Sequence, residues 1–102
     1  MLNPLIINQK TTQEAKFIEA TCAKMVEQFK SKNTAYADSF GQSVQKYGPI
    51  SALTRMSDKW NRIEALILGA KNDVVDERLE DTLVDMACYC LMTLFEIENA
   101  KR

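Results

Sequence analysis

Apolar residues recur along this chain at the three-and-four spacing of helix faces. Ile18, Cys22, Met25 and Phe29 form one such stripe, flanked by Lys16, Glu19, Lys24, Glu27 and Lys30. Thr11 with Glu14 three residues later makes a capping box, which predicts the start of this first helix and an end near Ser31. Residues 1–10 are then expected to be an extended lead-in whose Leu5, Ile6 and Ile7 pack on the domain or a neighbour. The stretch from Lys32 to Gly41 has no clean period and reads as a loop. Phe40, Val44 and Tyr47 predict a short helix closed by Gly48, and Pro49 opens a second long helix that runs to about Leu68. Leu53, Met56, Trp60, Ile63 and Ile67 are its expected packing seam. After a connection over residues 69–75, the acids Asp76 and Glu77 begin a third long helix where its dipole favours them. That helix carries Leu79, Leu83 and Met86 on one face and is apolar almost all round from Leu83 to Phe95, a pattern expected of a buried helix.

Three long helices and a short one predict an all-α bundle, with residues 1–102 forming a single domain. The third helix has more apolar surface than short neighbours can cover, including Leu91, Met92, Leu94, Phe95 and Ile97, so a homo-oligomer is expected, with ligand sites between subunits as one consequence. Thirteen basic residues against fourteen acidic ones leave a net charge of −1, which provides no global field to recruit a nucleic acid polymer or a membrane. The apolar N-terminus is too short for a signal segment or a span, and Cys22, Cys88 and Cys90 read as reduced packing residues of a cytoplasmic protein. There is no histidine and no glycine-rich phosphate loop, so His-based triads and His-ligated zinc are excluded.

Three polar groups are candidates for chemistry. Lys32, Asn33 and Tyr36 lie in the expected loop, Arg55, Asp58, Lys59 and Arg62 share a face of the second long helix, and Glu77, Asp81 and Asp85 recur every four residues on the third. A short connection favours an antiparallel pair of long helices, which brings the cationic stripe towards the acidic one. One reading is a seam of interhelical salt bridges. The sharper reading is a site for a phosphorylated ligand. Carboxylates one turn apart suit a hard cation such as Mg²⁺, whose coordination is often completed by phosphates. Arginine meets phosphate with a planar fork and lysine as a point charge. Tyr36, Trp60 or Tyr89 can stack on a base.

At these residues the chain resembles a family. Lys32-Asn33-x-x-Tyr36, Arg55-x-x-Asp58-Lys59-x-x-Arg62 and Glu77-x-x-x-Asp81-Thr82-Leu83-x-Asp85-x-x-x-Tyr89 resemble the nucleotide modification associated domain family of small bacteriophage and prophage proteins, over about residues 28–98. The resemblance implies a nucleotide-related role in a bacterial host cell; joined to the reading of the residues above, it makes Lys32, Asn33, Tyr36, Arg55, Asp58, Lys59, Arg62 and Tyr89 the expected nucleotide-binding residues and Glu77, Asp81 and Asp85 the expected Mg²⁺ ligands. A more distant likeness is to the all-α nucleoside triphosphate pyrophosphohydrolases of the MazG and dimeric dUTPase type, which hold Mg²⁺ between paired acidic motifs. Here the first motif would fall on Asp58, Asn61 and Glu64, with two acids only, and the second on Asp81 and Asp85 at four residues rather than three.

Two functions follow, and a purely structural oligomeric bundle stands beside them. The first is a Mg²⁺-dependent nucleotide-processing enzyme of the pyrophosphohydrolase kind, in which a metal-bound water attacks phosphorus. The second is a non-catalytic sponge that sequesters a host signalling nucleotide in anti-phage defence, which needs the cations and an aromatic wall but no full metal cluster.

Overall fold

The computed structural model describes residues 3–69 and 78–101, and all four elements it contains are helices: α1 (Pro4–Ala35), α2 (Ser39–Tyr47), α3 (Ile50–Ile67) and α4 (Leu79–Ala100). Among the described residues there is no strand, and no helix is long and apolar enough to cross a membrane.

α4 is the element on which the others assemble. α3 runs antiparallel to it, because Lys59 meets Asp85 at 3.2 Å while the earlier Met56 meets the later Cys90, with their sulfurs 3.9 Å apart. This register sets Ile63 against Thr82, the two residues most fully buried in α3's last half and in α4. The Thr82 hydroxyl turns back to donate to Arg78 O at 3.0 Å, so a fully buried polar side chain sits inside the first turn without an orphaned proton. α2 crosses the far end. Its Phe40 ring packs on Tyr89 with centroids 5.5 Å apart, and the Ser51 hydroxyl donates to Ser43 O to tie α2 to α3. Gly41 permits the close approach of α2 to α4: a Cβ there would stand 2.5 Å from an Asp38 oxygen and 2.7 Å from a Glu96 oxygen.

α1 departs most from expectation. Residues 4–10 are helical rather than an extended lead-in, since the Asn3 side chain accepts the Leu5 N–H at 2.8 Å as an N-cap and Pro4 occupies the first turn, where its missing N–H costs nothing. Thr11 therefore does not cap. Its hydroxyl donates back to Ile7 O at 2.8 Å inside a continuing helix. The helix also passes Ser31 and ends at Ala35, so Lys32 and Asn33 lie on its last turn and Tyr36 is its C-cap. The break comes at Ala37 and Asp38, both left-handed at φ 53° and 54°. Every residue from Asn3 to Ala20 is exposed, and only the second half of α1 meets the bundle. This projecting arm explains a radius of gyration of 16.6 Å, against about 13 Å for a compact chain of this length.

The seam of α3 is also turned from its expected position. Ala52 and Ile63 are buried and Met56, Lys59 and Leu66 half-buried, whereas Leu53, Trp60 and Ile67 are more than half exposed. The Lys59 to Asp85 pair draws the polar side of α3 inward and rotates the apolar stripe out. α4 is likewise less buried than its composition suggests: Leu83, Leu91, Leu94, Phe95 and Ile97 all face solvent in the single chain, and Asp85 is half-buried. Asp76 and Glu77, the expected start of this helix, lie outside the described residues.

The left-handed pair at the α1–α2 corner yields a prediction. Alanine in that conformation costs on the order of 1–2 kcal/mol while glycine does not, so Ala37→Gly should stabilise the fold by about 0.5–1 kcal/mol after the unfolded-state entropy of glycine is set against it. The urea midpoint should rise; a fall would mean the corner is not strained by its Cβ.

Candidate functional site

The second half of α1, the start of α2 and the facing sides of α3 and α4 enclose a pocket of about 270 Å³. Six of the eight residues expected to bind ligand line it: Lys32, Asn33 and Tyr36 from the end of α1, Arg55 and Lys59 from α3, and Tyr89 from α4. Asp85 joins them. Asp58 is exposed on α3 away from the lining, and Arg62 lies deeper in the bundle, half-buried, with its Nε shut off from solvent. A second groove of about 330 Å³ continues from the first, sharing Met25, Gln28, Lys32, Val84 and Asp85 and ending at Thr21, Lys24 and Asp81. The combined cleft thus runs along α1 and α4, which point the same way.

Why these side chains converge follows from helix period. Lys32 and Tyr36 continue the stripe of Cys22, Met25 and Phe29 at three and four residues, so once α1 persists through Ala35 they share the face that meets α4. Arg55 and Lys59 are one turn apart on α3, and Asp81, Asp85 and Tyr89 are successive turns of α4. The floor is apolar, with Met25, Phe29, Phe40, Val84 and Met92. None of these floor residues is marked by polar motifs, although Met25 and Phe29 are visible in the sequence as the apolar stripe of α1.

The electrostatics favour an anion. Lys32, Arg55 and Lys59 line the first pocket against the single carboxylate of Asp85. Lys59 and Asp85, with side chains 24% and 34% exposed, hold each other at 3.2 Å, where solvent screening keeps the pair worth on the order of 1 kcal/mol. An incoming phosphate would compete with Asp85 for this ammonium. Asn33 is oriented from the rim, its Nδ2 donating to Asp38 Oδ1 at 3.3 Å. Tyr36 leaves 66% of its surface exposed at the mouth, available for stacking, whereas Tyr89 already packs on Phe40 and acts as wall.

Of the expected metal ligands, Asp81 and Asp85 face the cleft one turn apart, and Glu77 lies outside the described residues. Oxygen donors so placed fit a hard cation that keeps several waters. Among the described residues, no three His, Cys, Asp or Glu side chains gather around one point. Asp58 and Glu64, the acids of the first motif in the pyrophosphohydrolase likeness, are exposed and line neither pocket.

Cys88, on the same lining, senses both charges. Burial pushes its thiol up from an ordinary value of 9.0, the Asp85 carboxylate adds to this, and Lys32 opposes it. The folded chain therefore holds this proton more tightly than the unfolded one, and the associated stability is fully present below 9.0 and lost as pH rises through the folded value. Wild-type protein should lose more stability than Cys88→Ala across that alkaline window, measured by urea unfolding of both. Equal losses would place the thiol in water.

The sequence profile of the family described as Nucleotide modification associated domain 1 matches residues 32–97, more than half of the chain. The matched span runs from the last turn of α1 through most of α4 and so contains Lys32, Tyr36, Phe40, Arg55, Lys59 and Tyr89 of the first pocket, while Phe29 and Lys24 lie before it. No curated protein and no solved structure matches the chain, which leaves the pyrophosphohydrolase likeness resting on its acidic residues alone.

Proposed function

We propose that this chain, which belongs to the Nucleotide modification associated domain 1 family, binds the phosphate of a nucleotide in the cleft between α1, α3 and α4. The observation that carries the reading is the convergence of Lys32, Arg55 and Lys59, drawn from two separate helices, on one pocket with an apolar floor and an exposed tyrosine at its mouth. Phosphate sits against the three cations, arginine through its fork and the lysines as charges. The base stacks on Tyr36, and Asn33 offers a polar edge beside it. At about 270 Å³ the first pocket is near the lower end of ligand cavities, and its continuation towards Lys24 and Asp81 supplies the remaining length.

Binding without turnover is the simplest use of this geometry, and a sponge for a host nucleotide requires no more. The second reading, Mg²⁺-dependent cleavage, is favoured by Asp81 and Asp85 on successive turns beside Lys32, where a metal would be held next to the bound phosphate and would supply an activated water. Incubating the purified protein with a nucleotide panel, with and without Mg²⁺, then denaturing it and recovering the small molecules, distinguishes the two. Intact nucleotide released on denaturation means sequestration, monophosphate with pyrophosphate means catalysis, and no retained or altered nucleotide rejects the site.

Arg55 is exposed and its side chain supports no part of the core, so Arg55→Ala should change stability by less than about 0.5 kcal/mol. The same change should weaken nucleotide binding by about 10-fold or more, read by calorimetry. Comparable losses of stability and affinity would mark the cation as structural.

Asp85→Asn is expected to split the two readings. In chelator it should strengthen phosphate binding several-fold, since the carboxylate that competes for Lys59 is neutralised. With Mg²⁺ present, affinity should instead fall if Asp85 is a ligand. A variant that melts early yet binds as wild type under both conditions removes Asp85 from the site and leaves it as an interhelical brace.

A further inference from the structure

α3 and α4 each carry a second apolar stripe that their mutual packing leaves uncovered. On α4, Leu83, Ala87, Cys90, Leu94 and Ile97 follow one another at four, three, four and three residues, and all are exposed. On α3, Ile50, Leu53, Trp60 and Ile67 fall in the same alternation through Ser57 and Glu64, and these too are exposed. Met56, which borders the α3 stripe one turn from Leu53 and Trp60, meets Cys90 of the α4 stripe, so the two stripes flank the same edge of the helix pair. The cleft residues Arg55, Lys59, Asp85 and Cys88 project from the opposite edge. The molecule is thus a two-helix layer with α1 and the cleft on one side and a nearly uncharged apolar face on the other.

We propose that this face pairs with the same face of a second copy of the chain, closing a four-helix bundle about a two-fold axis. Three observations name the occupant. An alternating seam of this kind is filled by helices packed at a shallow angle, and the two stripes, over residues 50–67 and 83–97, lie side by side with the same repeat, so the complement is another layer of two helices. An isologous contact supplies that layer without any further partner. At about 1.5 Å per residue the stripes are about 27 and 22 Å long, and with helix axes about 10 Å apart they present on the order of 500 Å² per copy, about 1,000 Å² for the pair, the size at which a specific interface begins. The chemistry also fits an interface centre, where charge is depleted: Glu64 is the one acid within the α3 stripe and the α4 stripe has none. The exposed arm of α1 is the weaker rival, for its Phe17 and Ile18 are interrupted by Lys10, Glu14, Lys16 and Glu19. In this arrangement each copy keeps its own cleft, turned outward, and ligand sites do not straddle the interface.

Trp60 lies in the proposed interface and is the only tryptophan, which makes the test direct. Light scattering on the wild type should give twice the chain mass, and Trp60 should be shielded from a neutral quencher at high protein concentration and become accessible on dilution. Leu94→Asp places a charge in the seam and should raise the dissociation constant by about 100-fold or more, giving a monomer with unchanged helical circular dichroism and an exposed Trp60. A wild-type monomer overturns the proposal, as does an oligomer in which Trp60 quenching is independent of concentration or whose mass is unaffected by Leu94→Asp; the last two outcomes would point to the α1 arm or another surface. Should the variant lose helix, the wild-type quenching series decides the question by itself.

Discussion

The contact between Lys59 and Asp85 governs how this chain uses its helices. A salt bridge at 3.2 Å between half-buried side chains contributes little net stability once desolvation and screening are counted. Its larger effect is geometric. By placing Lys59 on the α3–α4 seam it brings Arg55 to the cleft on one side, and turns Leu53, Trp60 and Ile67 away from the intramolecular core on the other. Replacing the pair with apolar residues of equal volume would leave the helices packed but would remove the rotational preference that separates a charged edge from an apolar one. Register and orientation, more than energy, are what a polar contact of this kind specifies.

The intramolecular core is small. Met25, Phe40, Ala52 and Ile63 are the buried apolar residues among those described, and Thr82 is the fully enclosed polar one. For a chain of 102 residues that is a slender basis for stability, since a domain of this size must offset on the order of 100 kcal/mol of conformational entropy with buried apolar area. The α1 arm sharpens the point. A run of exposed residues from Asn3 to Ala20 is supported locally, by the Asn3 cap, Pro4 and the Lys10 to Glu14 pair at 3.3 Å, whereas helices in proteins draw most of their stability from packing an apolar face. Apolar surface on this chain is abundant but lies mostly outside its own core.

Much of this organisation was legible in the sequence, and the failures have specific causes. The all-α class, the short helix ended by Gly48 at φ 83° and the span of α3 follow from apolar period and from glycine and proline. The start of α1 is ambiguous in the sequence because two capping signals compete: Asn3-Pro4 at residue 3 and Thr11 with Glu14 further on. Tertiary burial does not choose between them, since neither region is covered, and the earlier cap wins because nothing after it breaks the helix. The end of α1 is obscured in the sequence because Lys32 and Asn33 look like loop residues by type. Their phase says otherwise, since positions 18, 22, 25, 29, 32 and 36 keep one spacing throughout.

The candidate site was legible for a related reason. Its cations and tyrosines stand out by type, and their pairing one turn apart on three helices survives errors in where those helices begin or end. What periodicity could not decide was which of two stripes on α3 meets α4, because both obey the same alternation and lie one residue, about 100°, apart. The expected seam of Leu53, Met56, Trp60, Ile63 and Ile67 straddles both stripes: the structure keeps Met56 and Ile63 inside with Ala52 and Lys59, and turns Leu53, Trp60 and Ile67 outside. This division of α3 is what the proposed pairing of two copies and the proposed phosphate site would together ask of one helix: an apolar face turned outward and a charged edge turned to the cleft. Sequence period alone does not separate the two faces, and the placement of the Lys59 to Asp85 contact does.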